Sequence, residues 1–449
     1  MNLTKDYKQY FTPDKLAEYM VNIIPDGIIK TVVDLSMGEC GLLEEVQKRW
    51  LDAELFGADI DRDLIKKISE KNPYINVFHG DSLSTKLDDW KCYNEIVSNQ
   101  GFDLAIANPP FNFYDQVTVS INENQKMALP IEIRFLLKYI DIVKENGYIC
   151  IILPYGFLSL DLYKKLRIQL LRMVTILRVI KIFNRCFDKI DADTCLILMK
   201  KKKKEEKNIQ TKIRIEYLDD KYNLSISQMV MVNQVDRWDL EYQHLLKQTN
   251  IRNGNADFER IALKNYIKSC RRGKSITNNK ELLEDKGTRF IHTTDLKKLY
   301  ISNENKQYVG NNKFFFKSAI LNKDEILIGR VGQGCIGKIG IVSRRYPKMF
   351  FSDCLYAIQT KNIDPYYLTL FLASEYGQMQ LRGMAKGSCS KYITQGDLFN
   401  ISVLVPDVKM QNYFGSKYKM LLSKPGRTDK ERLFTNLLEE LDEVIKKKE

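Results

Sequence analysis

The chain has 449 residues, of which 44% are hydrophobic and 28% charged. That balance excludes wholesale disorder and a fibrous repeat, and the length allows two or three domains at roughly 100 to 200 residues each. Lysine and arginine outnumber aspartate and glutamate by 70 to 57, and the net charge of +13 favours a polyanionic partner. No apolar run reaches the ~18 residues of a membrane span, and the polar start MNLTKDYKQYFTPDK has no secretory apolar region. The nine cysteines are scattered without a CxxC pair, which argues against a disulfide framework and a zinc ribbon. A cytoplasmic protein without a metal or a membrane anchor is the expectation.

From Thr31 to about Lys204, short apolar runs alternate with amphipathic stretches: TVVDLSM, LLEEVQKRWL, LFGADI, FDLAIAN, a helical run around Ile131 to Val143, GYICIILP and TCLILM. This rhythm predicts an α/β fold, a Rossmann-like doubly wound and mostly parallel sheet with crossover helices. The five lysines Lys200 to Lys204 read as an exposed strand end or turn rather than a site. From about Asn250 the rhythm changes to short strands, glycine-rich turns and isolated helices, as in ILIGRVGQGCIGKIGIVS, which marks a second domain of α+β type. After Pro425 and Gly426 a terminal helix is expected, with Thr428 as N-cap and Leu433, Leu437, Leu438, Leu441, Val444 and Ile445 on one face. The expected division is 1–245, 246–425 and a C-terminal amphipathic helix at 426–449. That helix is short for a self-sufficient coiled coil, so docking on its own chain, and hence a monomer, is favoured over pairing with a second protomer.

The segment DLAIANPPF, Asp103 to Phe111, runs an apolar strand straight into Asn-Pro-Pro-Phe. Two successive prolines fix φ and donate no hydrogen bond, so the chain leaves the sheet rigidly at its carboxyl edge. The side-chain oxygen of Asn108 and the carbonyl of Pro109 can then accept two hydrogen bonds from an exocyclic amino group, with Pro110 holding the turn and Phe111 stacking on the ring. Earlier, VVDLSMGECG sets Asp34 at a strand end and Gly38 and Gly41 in the turn before a helix, where backbone amides can approach a ligand. About 20 residues on, GADID offers Asp59 to a ribose diol, and HGDSL offers Asp81 to an adenine amino group. Each acid alone reads more readily as a helix N-cap or turn residue than as a ligand contact; three in order on successive strand ends reverse that and read as a site. A nicotinamide site is disfavoured because GxGxxG is absent.

The series YFTPDKLAEYM, DLSMGECG, GADID, GDSL, NPPF and GYICIILPYGFL resembles the amino-group DNA methyltransferases of the gamma motif order, over about the first 200 residues. The resemblance implies S-adenosyl-L-methionine as cofactor, with Thr12 and Asp34 at its methionine end, Gly38 beneath it, Asp59 on the ribose and Asp81 on the adenine. It implies that Asn108, Pro109, Pro110 and Phe111 hold the target base, that Asn108 also borders the cofactor, and that Phe187 is a second aromatic wall, with Phe183 its rival. Cys40 departs from the glycine that relatives often carry there. The stretch Tyr366 to Asp407, with CRRGKSIT and ILIGRVGQGCIGKIGIV upstream, resembles the target recognition domains of type I restriction-modification specificity subunits, over roughly residues 255 to 410. Arg271, Arg272, Lys274, Lys386, Ser388 and Lys391 are the expected phosphate contacts and Tyr392 the expected stacking face.

These features together predict a site-specific adenine methyltransferase acting on double-stranded DNA, with restriction requiring a separate subunit. Three rivals stay open: an amino-directed cytosine methyltransferase, a protein glutamine or RNA methyltransferase, and a non-catalytic DNA-specificity protein. NPPF rather than a Ser-Pro-Pro type favours adenine.

Overall fold

Strands that are apolar along their whole length need cover on both faces, and the first of two compact units, Met1–Leu240, provides it around one large sheet. The computed structural model describes residues 11–447 except 85–86, 88, 113–114, 123–124, 185, 188–191, 207, 232–236, 252–258, 277–282, 298, 303–306, 311–318, 344–348, 389 and 425–427. Tyr10, Thr277, Pro425, Gly426 and the side chain of Thr428 therefore lie outside the described residues.

The first half of the unit runs α1 (Asp14–Asn22), β1 (Thr31–Asp34), α2 (Gly41–Arg49), β2 (Glu54–Asp59), α3 (Arg62–Lys71), β3 (Ile75–His79), α4 (Lys91–Asn99) and β4 (Phe102–Ala107). An antiparallel hairpin follows, β5 (Gln116–Asn122) with β6 (Gln125–Pro130). Then come α5 (Ile131–Ile142), β7 (Val143–Pro154), α6 (Gly156–Ser159), α7 (Lys164–Met173), β8 (Val174–Ile182), β9 (Thr194–Lys201), β10 (Lys212–Leu218) and β11 (Leu224–Met231). The sheet order is β11-β10-β8-β9-β7-β4-β1-β2-β3. Strands β3 through β7 in that order are parallel, while β9 is antiparallel to both its neighbours. The order reverses between β1 and β4, which opens a crevice at their carboxyl ends. This is the doubly wound, mostly parallel architecture that the sequence rhythm predicts.

Asp103 pins that reversal. Its Oδ2 accepts the N–H groups of Lys30 (2.8 Å) and Thr31 (3.0 Å), and Lys144 pairs with Oδ1. Burial pushes its carboxyl up, but Lys144 and the two N–H groups outweigh burial and hold it below the usual carboxylate range. The lysine run proves partly internal. Lys201 Nζ donates to the carbonyls of Asp141 (2.9 Å) and Val143 (2.6 Å), and Lys202, only 7% exposed, donates to that of Leu171 (2.9 Å). Both ammonium groups thus satisfy carbonyls at the carboxyl ends of α5 and α7.

The second unit, Glu241–Glu449, holds all of α8 (Leu240–Ile251) but its first residue. It continues with β12 (Glu259–Ala262), β13 (Ile267–Arg272), β14 (Leu283–Glu284), β15 (Thr288–Ile291), β16 (Gln307–Val309), β17 (Ile326–Gly329), β18 (Ile339–Ile341), β19 (Phe350–Phe351) and β20 (Leu355–Thr360). After these come α9 (Pro365–Ala373), α10 (Glu375–Met384), α11 (Gln395–Phe399), β21 (Ser402–Val405), α12 (Val408–Ser423) and α13 (Thr428–Lys447). The strands form two four-stranded sheets, β13-β20-β17-β18 and β14-β16-β15-β19, and a pair, β12-β21. Asp364 caps α9 and Asp407 caps α12, each accepting a backbone N–H. Phe434, Leu437, Leu438, Leu441 and Ile445 of α13 are buried in one core with α9 and α12, so the terminal helix docks on its own chain.

Asp103→Ala should destabilise the first unit by roughly 2–4 kcal/mol, because it leaves two backbone donors and Lys144 without their acceptor. Urea unfolding checks this, and an unchanged midpoint contradicts it.

Candidate active site

The carboxyl end of β1 carries Asp34, which is 1% exposed. Its Oδ1 accepts from Ser36 N (2.9 Å), Ser36 Oγ (3.3 Å) and Tyr139 Oη (3.3 Å), and Tyr139 Oη itself accepts from Leu35 N (2.9 Å). Burial pushes the Asp34 carboxyl up to about 7, against the Ser36 hydrogen bonds that pull it down, and nearby Asp59 adds to the rise. At the end of β2, Asp59 takes Gly38 N on Oδ2 and Asp61 N on Oδ1, both at 2.9 Å, and so ties the β1–α2 turn to the next strand. Burial raises its carboxyl too. Gly38 sits at φ +52°, a left-handed conformation that favours glycine, and a Cβ there would press to within 3.3 Å of the Phe11 ring. Cys40 holds φ 74° at the N-cap of α2, a left-handed conformation that costs a residue with a Cβ about 1–2 kcal/mol.

At the end of β3, Asp81 is exposed and accepts Leu83 N (2.9 Å). Ser82 beside it is 3% exposed, and its hydroxyl has no hydrogen-bond partner among the described residues. All six residues of β4 are buried, and Asn108–Pro109–Pro110–Phe111 leaves its carboxyl end. The loop is held from behind: Asn112 N donates to Glu132 Oε2 (3.2 Å), a carboxylate 2% exposed in the first turn of α5.

These strand ends surround a cavity of about 310 Å3 lined by Asp59, Asp81, Ser82, Asn108, Pro109, Pro110 and Phe111. A second lobe of about 240 Å3 is lined by Thr12 and Asp34. Phe11, Ser36, Gly38 and Asn108 border both. The strand ends, together with the segment before α1, therefore bring Thr12, Asp34, Gly38, Asp59, Asp81 and the Asn108–Phe111 loop around the two lobes. Sequence reasoning missed Phe11, Ser82 and Glu132. The first two stand beside residues it did single out, whereas nothing local marks Glu132.

Three expectations need correction. Phe187 is 4% exposed and belongs to the apolar core with residues such as Ile182, Leu196 and Leu218, and it lines neither lobe; Phe183 packs edge-on against Tyr222, with ring centroids 5.5 Å apart. Lys386 is 4% exposed and pairs with Asp397 at 2.9 Å, so it braces the cap of α11 rather than a phosphate. Arg271, half-buried, makes a two-point contact with Glu325 (2.6 and 2.7 Å), itself 1% exposed, so its guanidinium is engaged by a buried carboxylate rather than held out for a phosphate. Of the other expected contacts, Arg272 and Lys274 are exposed, with Arg272 2.9 Å from Asp353; Ser388, Lys391 and Tyr392 are half-buried, with Lys391 3.8 Å from Glu241.

Residues 1–281 match the N-6 DNA methylase family, and the chain belongs to that family. Residues 255–414 match the type I restriction modification DNA specificity domain. The type II methyltransferase M.AccI of Acinetobacter calcoaceticus is 26% identical over 188 residues, 40% of this chain and 33% of its own. The chain spans a third or less of the length of the curated relatives it matches. Among solved structures, the type IIG restriction endonuclease BpuSI aligns with 98% of this chain and 66% of its own at 12% identity and a TM-score of 0.43. A type I restriction-modification methyltransferase subunit from Streptococcus thermophilus aligns with 56% of this chain and 55% of its own at 18% identity and a TM-score of 0.37.

A cationic ligand that meets Asp34 should bind more tightly as pH rises through about 7, because only the ionised carboxylate can pair with it. The unliganded native state keeps a proton that the unfolded chain has already released, so its stability should fall as pH rises from the ordinary carboxylate range through about 7. Asp34→Asn should remove that fall and raise stability at pH 8 by on the order of 2 kcal/mol. Thermal melts of both proteins from pH 5 to 8 check this; parallel curves contradict it.

Proposed function

We propose that this chain is a site-specific DNA adenine methyltransferase, the modification component of a restriction-modification system, which transfers the methyl of S-adenosyl-L-methionine to the 6-amino nitrogen of an extruded adenine. The observation that carries the reading is the rigid Asn108–Phe111 loop at the end of β4, opening on the cavity bordered by Asp59, Asp81 and Ser82. Membership of the N-6 DNA methylase family supports the reaction class, and the specificity-domain match supports duplex DNA as the substrate.

The residues present fit the cofactor. Asp34 and Asp59 are buried carboxylates whose ionisation burial opposes, so they favour a ligand that brings a cation or hydroxyl donors. S-adenosyl-L-methionine has an ammonium for Asp34 beside Thr12, a ribose diol for Asp59, and an adenine amine for Asp81. Among the described residues the buried Ser82 hydroxyl has no partner, and a polar ligand edge would supply one. When bound, the cofactor supplies an activated methyl group on its sulfonium.

The protein's own part is to present the nucleophile. A paired adenine hides its amino group, so extrusion is required, at a cost of a few kcal/mol. Stacking on Phe111 can return about 1–3 kcal/mol, by analogy with single-strand binding platforms. Asn108 Oδ1 and the Pro109 carbonyl accept the two amino N–H bonds, which draws the nitrogen lone pair out of conjugation and points it away from the acceptors. The loop that carries both acceptors is restrained by the fixed φ of its two prolines and, just beyond them, by the hydrogen bond from Asn112 N to Glu132, which limits the reorganisation needed at the moment of transfer.

Asn108→Ala should keep cofactor affinity within about threefold while lowering methyl transfer at least about 100-fold. Ser82→Ala should do the reverse, weakening cofactor binding about five- to tenfold with no loss of stability in the free protein. Calorimetry with S-adenosyl-L-methionine and a tritium-methyl assay on duplex DNA separate the two effects; near-normal transfer by Asn108→Ala refutes the assignment.

A further inference from the structure

On one sheet edge of the second unit, the ends of three strands and two loops form a braced platform. Arg272 of β13 lies opposite Tyr356 of β20, and Gly329 of β17 lies opposite Leu355, so β13 and β17 end where β20 begins. The chain leaving β17 enters a tight turn in which Cys335 N donates to Gly332 O (2.9 Å), with Gly332 at φ +101°. Gln333 and Gly334 occupy the two corner positions of that turn, both are exposed, and a Cβ on Gly334 would meet nothing within 4 Å.

The turn is held at its base by the loop that precedes α11. Gly332 N donates to Lys391 O (2.8 Å), Ile393 N donates to Arg330 O (2.9 Å), and Val331 bridges Tyr392. Arg330 lies over the Tyr356 ring at 5.3 Å and donates to the carbonyl of Asp353 (3.0 Å), which fixes the next strand against the turn. The carboxylate of the same Asp353 meets Arg272 at 2.9 Å, and Lys274 bridges Ser352 beside it. The edge therefore presents an amide side chain on a rigid tip, flanked by the exposed cations Arg272 and Lys274.

We propose that this edge is a sequence-reading surface, with Gln333 contacting a base edge in the major groove and Arg272 and Lys274 contacting the phosphates beside it. The chemistry is that of a side-chain amide, which donates to N7 and accepts from the 6-amino group of adenine, whereas cations placed on phosphates fix position without reading a base. A tip held by backbone hydrogen bonds suits reading, because a mobile one loses entropy on every contact. The inference rests on the methyltransferase reading above but concerns residues outside the catalytic cavity.

The test uses the full chain, expressed in a host without other adenine methylation, followed by sequencing of modified adenines. Gln333→Ala should keep methylating but with one position of the recognition sequence degenerate, and Gln333→Glu should shift that position from adenine toward cytosine. The double variant Arg272→Ala, Lys274→Ala should weaken DNA binding about tenfold for every sequence and lower the slope of log affinity against log salt by about one to two units. An unchanged recognition sequence in both Gln333 variants, or loss of methylation without degeneracy, overturns the base contact, and an unchanged salt slope overturns the phosphate contacts. Failure of the unaltered chain to methylate would instead strike the methyltransferase reading itself.

Discussion

Everything in the first unit depends on where the strand order reverses, and one carboxylate holds that place. Asp103 lies early in β4, yet it accepts the backbone N–H groups at the start of β1 and pairs with Lys144 at the start of β7. With the amino ends of three parallel strands fastened, their carboxyl ends hold a fixed register. The loops leaving β1 and β4 are then set side by side, as a shared site requires.

The site itself combines rigidity with unmet electrostatic demand. Asp59 stitches the β1–α2 turn to β2 through Gly38 N, and the Asn112–Glu132 hydrogen bond braces the NPPF loop from outside the cavity. Inside, Asp34 and Asp59 have carboxyls raised by burial, and Ser82 has a hydroxyl unpartnered among the described residues. A site so arranged is less stable empty than filled. This is the usual exchange of stability for function in a preorganised pocket.

The parallel sheet and most of its strand ends were readable in the sequence because their signals are local. FDLAIAN is a continuous apolar run, proline announces the departure from β4, and Asp34, Asp59 and Asp81 each follow such a run. The stripe from Leu433 to Ile445 likewise has only one face to bury. What escaped was set by partners far along the chain. Lys386 and Arg271 look like free cations until Asp397 and Glu325 come into contact with them. Phe187 follows a strand as a pocket wall would, but its burial is decided by neighbours such as Leu218. The β5–β6 hairpin and α12 went unread: the first carries polar residues on an exposed ribbon, and the second lies in a stretch whose helical face alternates with lysines.

The central claim is that the β4 loop presents an adenine amino group to a methyl donor held against the ends of β1 to β3. The most direct measurement is to incubate the full chain with duplex DNA and tritium-labelled S-adenosyl-L-methionine, digest the DNA to nucleosides, and identify the labelled one by mass. The account predicts label in N6-methyladenine. Label in N4-methylcytosine, or label found only in protein or RNA, would contradict it.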